Sequence, residues 1–134
     1  MVTGKIVIVD DDPDILSLVM STIRKFYKNH QVEILAADTG KAGLELIERE
    51  HPRLVLLDIQ MPGMDGMEVL HHIRASRDKR VARVPVLMLT VKRDADTVIE
   101  AIQKGATDYL VKPVNREELM SRVKKILESD KLPD

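Results

Sequence analysis

The sequence predicts an α/β fold, a doubly wound parallel sheet of five strands with five helices covering both of its faces. Three observations predict it. Short apolar runs rich in β-branched residues recur along the chain, the pattern of strands buried on both faces. Amphipathic segments at helical spacing lie between them, several opened by a capping residue. The links are short, and strand-helix-strand units of that kind pair parallel strands through right-handed crossovers.

The elements follow in order. Lys5-Ile6-Val7-Ile8-Val9 is the first strand. Pro13 stands where a first helical turn tolerates proline, with Asp12 as candidate cap, and Ile15, Leu18, Val19, Thr22 and Ile23 carry a helix to about Tyr27. Val32 to Ala36 is the second strand. Thr39-Gly40 leads into a helix bearing Ala42, Leu44, Leu46 and Ile47, which Pro52 closes before the third strand, Leu54 to Leu57. Met61-Pro62-Gly63-Met64-Asp65-Gly66 is a loop of strong breakers, and Asp65 can cap the helix carrying Val69, Leu70 and Ile73. The basic stretch from Arg77 to Arg83 reads as a helix end and connecting loop. Pro85 opens the fourth strand, Val86 to Leu89, and a helix from about Ala95 to Lys104 stops at Gly105. Tyr109-Leu110-Val111 is the fifth strand. Asn115 with Glu118 three positions on starts the last helix, which presents Leu119, Val123, Ile126 and Leu127.

A chain of 134 residues fits one domain, residues 1–134, with a core of about 4–128 and a polar, fraying tail over 129–134. Lys plus Arg number 21 and Asp plus Glu 22, a net charge of -1 that argues against whole-surface attraction to nucleic acid or anionic membrane. Aromatics at 2% nearly exclude base-stacking platforms. Without cysteine there is no disulfide framework, thiolate nucleophile or thiolate metal site. The start of the chain has no signal-peptide pattern, and no apolar stretch approaches membrane-spanning length. The expectation is a soluble protein of the cytoplasm, with no membrane insertion and no direct nucleic-acid contact.

Ligands of open parallel sheets sit beyond the carboxyl ends of the strands. Strand one ends in Asp10-Asp11-Asp12, strand three in Asp58, strand four in Thr90, and strand five in Lys112-Pro113. Polar residues end most buried strands, but this set delivers carboxylates, a hydroxyl and an ammonium to one edge. Two carboxylates at ~4 Å repel by about 4 kcal/mol at an effective dielectric near 20, so a cation belongs there. Oxygen-only donors favour a hard ion such as Mg²⁺, which binds one or two carboxylates plus phosphate oxygens. An aspartate beside that ion can attack phosphorus and form an aspartyl phosphate, with Thr90 and Lys112 holding other phosphoryl oxygens. Asp10-x-Asp12-x-Asp14 is no calcium loop, because Ile15 and Ser21 occupy the positions that need glycine and glutamate. No nucleotide-cradling glycine motif is present.

At this point the sequence resembles the receiver domain of two-component response regulators. The matching segments are IVIVDDDPD (6 to 14), LVLLDIQMPGMDG (54 to 66), VLMLT (86 to 90) and GATDYLVKP (105 to 113). The resemblance implies a strand order of 2-1-3-4-5. It implies that Asp58 is the phosphoacceptor, Asp11 a direct Mg²⁺ ligand, and Asp10 an acidic neighbour acting often through water. Gln60 would complete the protein's share of coordination through its backbone carbonyl, and Mn²⁺ would substitute for Mg²⁺. Thr90 would move onto the phosphoryl group, Lys112 would pair with it, Tyr109 would be the aromatic that turns inward, and Lys112-Pro113 would be cis. His71 and His72, the basic loop at Lys79, Arg80 and Arg83, and the methionines at 61, 64 and 67 read as surface or packing residues.

The implied function is a phosphorylation switch. A histidine kinase or phosphotransfer protein donates to Asp58, and a surface including the helix from Ala95 to Lys104 changes its binding to a downstream protein of unknown identity. A phosphorylation-dependent dimer is a further expectation. The chain would be consumed stoichiometrically, so it is not a turnover enzyme. Two alternatives are a pseudo-receiver that mediates contacts without phosphorylation, and an aspartate-nucleophile phosphatase. Gln60 denies Asp58 the general acid that the phosphatase needs, and also predicts slow self-dephosphorylation. Val91 stands where the family usually has Ala or Gly, and its bulk is expected to restrict access to Asp58.

Overall fold

The structure is a computed structural model and describes residues 1–91 and 95–129. Residues 130–134 of the expected polar tail lie outside the described residues. The strands are β1 (Thr3–Val9), β2 (Gln31–Ala37), β3 (Leu54–Asp58), β4 (Val86–Thr90) and β5 (Asp108–Val111). The helices are α1 (Pro13–Phe26), α2 (Gly40–Glu50), α3 (Gly66–Arg74), α4 (Lys79–Ala82), α5 (Ala95–Gln103) and α6 (Arg116–Leu127). All strands are parallel, in the order β2-β1-β3-β4-β5, as the sequence implied.

Two apolar layers hold the sheet. Val7, Val9, Val55, Leu57, Val86 and Met88 face α2, α3 and α5 through Ile47, Val69, Ile73 and Ala101. Ile6, Ile8, Leu54, Leu56, Leu87 and Leu89 face α1 and α6 through Val19, Ile23, Leu119 and Val123. Consecutive strand residues thus alternate between layers, and β3 and β4 are buried along their whole length. Burying both faces of these strands is the main favourable term.

The helices start where their caps dictate. Asp12, Asp65 and Asn115 accept hydrogen bonds from the backbone N–H groups of Asp14, Glu68 and Glu118, and Thr39 does the same for Ala42. Among the described residues there are six helices rather than five. The sixth is α4, inside the stretch expected to be only a helix end and loop. Asp78 caps it by accepting from Arg80 N–H, while Val81 and Val84 are buried. A single turn has no periodicity for a sequence reading to detect. Asp78 also bonds His51 Nε2 at 2.8 Å, tying α4 to the left-handed end of α2.

One close approach sets the geometry beside Asp58. A Cβ on Gly66 would lie 2.1 Å from the Asp58 carbonyl oxygen and 2.8 Å from Ile59 Cα, so only glycine lets α3 begin this close to the end of β3. Gly66→Ala is expected to destabilise the fold by about 1–3 kcal/mol through overpacking. Urea unfolding measures this, and an unchanged midpoint would contradict it.

Candidate functional site

The predicted residues meet at the carboxyl edge of the sheet. Asp10 follows β1, Asp58 ends β3, Thr90 ends β4, and Lys112 follows β5. Because β1, β3 and β4 are adjacent, three strand ends deliver these groups side by side. Asp10, Asp58 and Thr90 are buried, at 0%, 4% and 1% exposure, and such burial of carboxylates demands partners.

Lys112 is the principal partner. Its Nζ lies 2.8 Å from Asp10 Oδ2 and 3.3 Å from Asp58 Oδ1. Burial alone would pull the ammonium down, but contacts with Asp10 and Asp58 outweigh it and hold Lys112 above the ordinary lysine value. Asp10 Oδ1 accepts from Asp12 N–H at 2.9 Å. Asp10 Oδ2 pairs with Lys112 outside hydrogen-bonding geometry, so this buried oxygen keeps an unused acceptor position.

Asp58 is pushed up to about 6 from the usual carboxylate value of 3.8. Burial is the largest cause and the charge of Asp10 the next. Lys112 and the backbone N–H of Gln60, 3.3 Å from Asp58 Oδ1, pull in the other direction without prevailing. One cation therefore does not neutralise this pair of carboxylates, and the site favours additional positive charge. Asp11 is exposed on the solvent side, and Asp10, Asp11 and Asp58 each offer an oxygen within 4.8 Å of the others. Oxygen donors, an unused buried acceptor and excess negative charge fit a hard divalent cation such as Mg²⁺.

Gln60 is exposed beside Asp58. Thr90 is one step along β4 from Leu89, which pairs with Asp58 in the sheet. Thr90 and Val111 are paired across β4 and β5, as are Met88 and Tyr109, so Tyr109 shares Thr90's side of the sheet. Tyr109 is half-buried against the layer that contains Met88 and Ala101. The Lys112-Pro113 peptide is cis, as the resemblance implied. Met61 is buried and Met64 and Met67 are partly buried against the same layer, while His71 and His72 are exposed. Val91 is 57% exposed.

Two arginines outside the carboxylate cluster, at the amino ends of β4 and β5, escaped the sequence reading. Arg74 donates to the carbonyl oxygens of Gly105, Ala82 and Val84 at 2.7–3.0 Å, joining the ends of α3, α4 and α5. Arg122 pairs with Asp108, the residue before Tyr109, at 2.7 Å. Neither sits in a motif. An acidic residue one position before the fifth strand's aromatic was the available signal for Arg122.

An oxygen-lined acidic site at the carboxyl edge of a 2-1-3-4-5 sheet defines a class of domain, and comparison with known proteins gives its family. The model for the response regulator receiver domain matches residues 6–124. The chain belongs to that family, the receivers of two-component signalling. It is 36% identical over 130 residues to the DNA-binding dual master transcriptional regulator RpaA of Synechocystis, covering 96% of this chain and 52% of that protein. The chain spans about half the length of the curated relatives it matches. Chemotaxis protein CheY4 of Vibrio cholerae has a TM-score of 0.81 at 29% identity, covering 93% of this chain and 99% of that one. The receiver domain of a sensor histidine kinase from Pseudomonas aeruginosa, solved with a magnesium ion in its active-site cleft, has a TM-score of 0.82 at 25% identity, covering 95% and 99%. Among the described residues no helix is long and apolar enough to cross a membrane.

Proposed function

We propose that Asp58 is the phosphoacceptor of this receiver and that residues 1–134 form one such domain. A carboxylate oxygen of Asp58 bonds to phosphorus as the bond from phosphorus to the donor's imidazole nitrogen breaks, and the imidazole leaves neutral after taking up a proton. Asp10, Asp11, Asp58 and the carbonyl of Gln60 would hold Mg²⁺, with Mn²⁺ as a substitute. Bound there, the ion would supply positive charge to the transferring group and its flanking oxygens. Lys112 pairs with a phosphoryl oxygen, and Thr90 closes on another through its hydroxyl. Tyr109 then turns toward the space on Thr90's side of the sheet, and the surface of α5, β5 and α6 changes with it.

The observation that carries this reading is the shared pairing of Lys112 with Asp10 and Asp58, where one ammonium lies between two buried carboxylates. A histidine kinase or phosphotransfer protein is the proposed donor, and a downstream protein the proposed reader, with dimerisation as a second form of readout. The chain acts in the cytoplasm and is consumed once per phosphoryl group, so it is not a turnover enzyme.

Calorimetric titration with Mg²⁺ tests the metal half of the proposal. One ion per chain is expected, with binding weakened at least tenfold by Asp11→Ala, the loss of one charged ligand on the order of 1.4 kcal/mol or more. Equal binding by wild type and Asp11→Ala would overturn the assignment of these ligands.

A further inference from the structure

The candidate switch residue carries a charged group on its far side. Tyr109 stands on β5, an edge strand of the sheet. Asp108 and Leu110 alternate with it and face the α6 layer, where Leu110 is buried. Arg122 of α6 spans this edge. Its Nη1 donates to both carboxylate oxygens of Asp108, at 2.7 and 2.8 Å, while its Cζ lies 5.5 Å from the centroid of the Tyr109 ring. The same carboxylate accepts the backbone N–H of Tyr109 at 2.8 Å. Glu118, one helical turn earlier, lies 3.5 Å from Arg122 Nη2.

The guanidinium is therefore fixed by two carboxylates and set against a ring within cation–π distance. Its Nε is buried without a hydrogen-bond acceptor, so the contacts that hold this side chain are the two carboxylates and the ring. The arrangement couples the ring to α6 through an ion pair, which a surface arginine free in solvent would not do.

We propose that Arg122 is a positioning residue for Tyr109: anchored by Asp108, its guanidinium holds the ring at the edge of β5 and opposes the ring's movement toward Thr90. This rests on the reading of Asp58 and Thr90 given above. A cation–π contact of this kind biases two ring positions about two- to fivefold. A ligand that favours the inward position binds more tightly by up to that factor once the opposing contact is gone. Arg122 thus sets how readily the domain switches, without touching the phosphoryl group.

The test uses beryllofluoride with Mg²⁺ as the phosphoryl probe and fluorine NMR of fluorotyrosine-labelled protein. Only Tyr27 and Tyr109 carry the label, and Tyr109→Phe assigns the two resonances. Arg122→Met is expected to move the Tyr109 resonance of the free protein toward its beryllofluoride-bound position and to raise beryllofluoride affinity about two- to fivefold. Asp108→Asn, which keeps the arginine but loosens its anchor, is expected to shift both readouts the same way, with Arg122→Lys intermediate. In a Tyr109→Leu background, Arg122→Met is expected to leave affinity unchanged, because no ring remains to be held. An unmoved Tyr109 resonance in Arg122→Met overturns the proposal, as does an affinity gain that persists in the Tyr109→Leu background. If the wild type takes no beryllofluoride, the phosphoacceptor reading fails, and the resonance of the free Arg122→Met protein still decides whether the arginine holds the ring.

Discussion

Replacing Lys112 with methionine is expected to cost the metal-free protein about 3–5 kcal/mol at pH 7, the range for removing one partner of a buried ion pair. The reason is the environment the ammonium leaves behind. Asp10 is fully buried and Asp58 nearly so, and Lys112 is 2.8 and 3.3 Å from them. Methionine fills most of the same volume, so the loss is one of charge rather than packing. Two conditions are expected to restore part of it. Mg²⁺ supplies positive charge to the same oxygens, and acid places a proton on one carboxylate. Urea unfolding in chelator, in Mg²⁺, and at pH 5 measures all three. Equal stability of variant and wild type in chelator at pH 7 would show that Lys112 does not compensate these carboxylates.

Asp58→Asn is expected to act in the opposite direction and to stabilise the metal-free protein at pH 7 by about 1–3 kcal/mol. Burial and the Asp10 charge place Asp58 at about 6 in the folded state, above its ordinary 3.8. The folded state therefore holds this proton more tightly than the unfolded chain. By linkage the group's stabilising contribution is complete below about pH 3.8 and is lost as pH rises through about 6. At pH 7 the ionised carboxylate is a net burden in the metal-free fold, which a neutral amide of the same shape removes. The gap between wild type and Asp58→Asn should close as pH falls from 7 toward 5, and Mg²⁺ should raise the melting temperature of the wild type more than that of the variant. A variant less stable than wild type at pH 7 in chelator would contradict this account. The burden has a functional meaning, since a site that is unfavourable alone becomes favourable when it receives a cation.

The sheet was legible because its chemistry is local. Runs such as Ile6-Val7-Ile8-Val9 and Leu54-Val55-Leu56-Leu57 are short, apolar at successive positions and contain β-branched residues, which marks a strand covered on both faces. The site was legible for a related reason: strands that pack in parallel present their following residues together, so Asp10, Asp58, Thr90 and Lys112 could be placed at one edge before any coordinates. Strand order came from the family resemblance, since alternation alone leaves several orders open. What escaped depends on contacts between segments. Helix α4 forms because Val81 and Val84 have a core to enter and Asp78 a histidine to meet. Arg122 reads as one more charge on an amphipathic helix until the fold sets it beside Asp108 and Tyr109. The 57% exposure of Val91 likewise depends on where the chain turns after β4.

Intact mass after incubation with Mg²⁺ and acetyl phosphate, for wild type and Asp58→Asn side by side, tests whether Asp58 accepts the phosphoryl group. One phosphoryl adduct is expected on the wild type, dependent on Mg²⁺ and slow to decay with Gln60 in place of a carboxylate base. None is expected on the asparagine variant. An adduct formed equally by both proteins, or none on a wild type that binds Mg²⁺, would contradict the assignment of Asp58 as the phosphoacceptor.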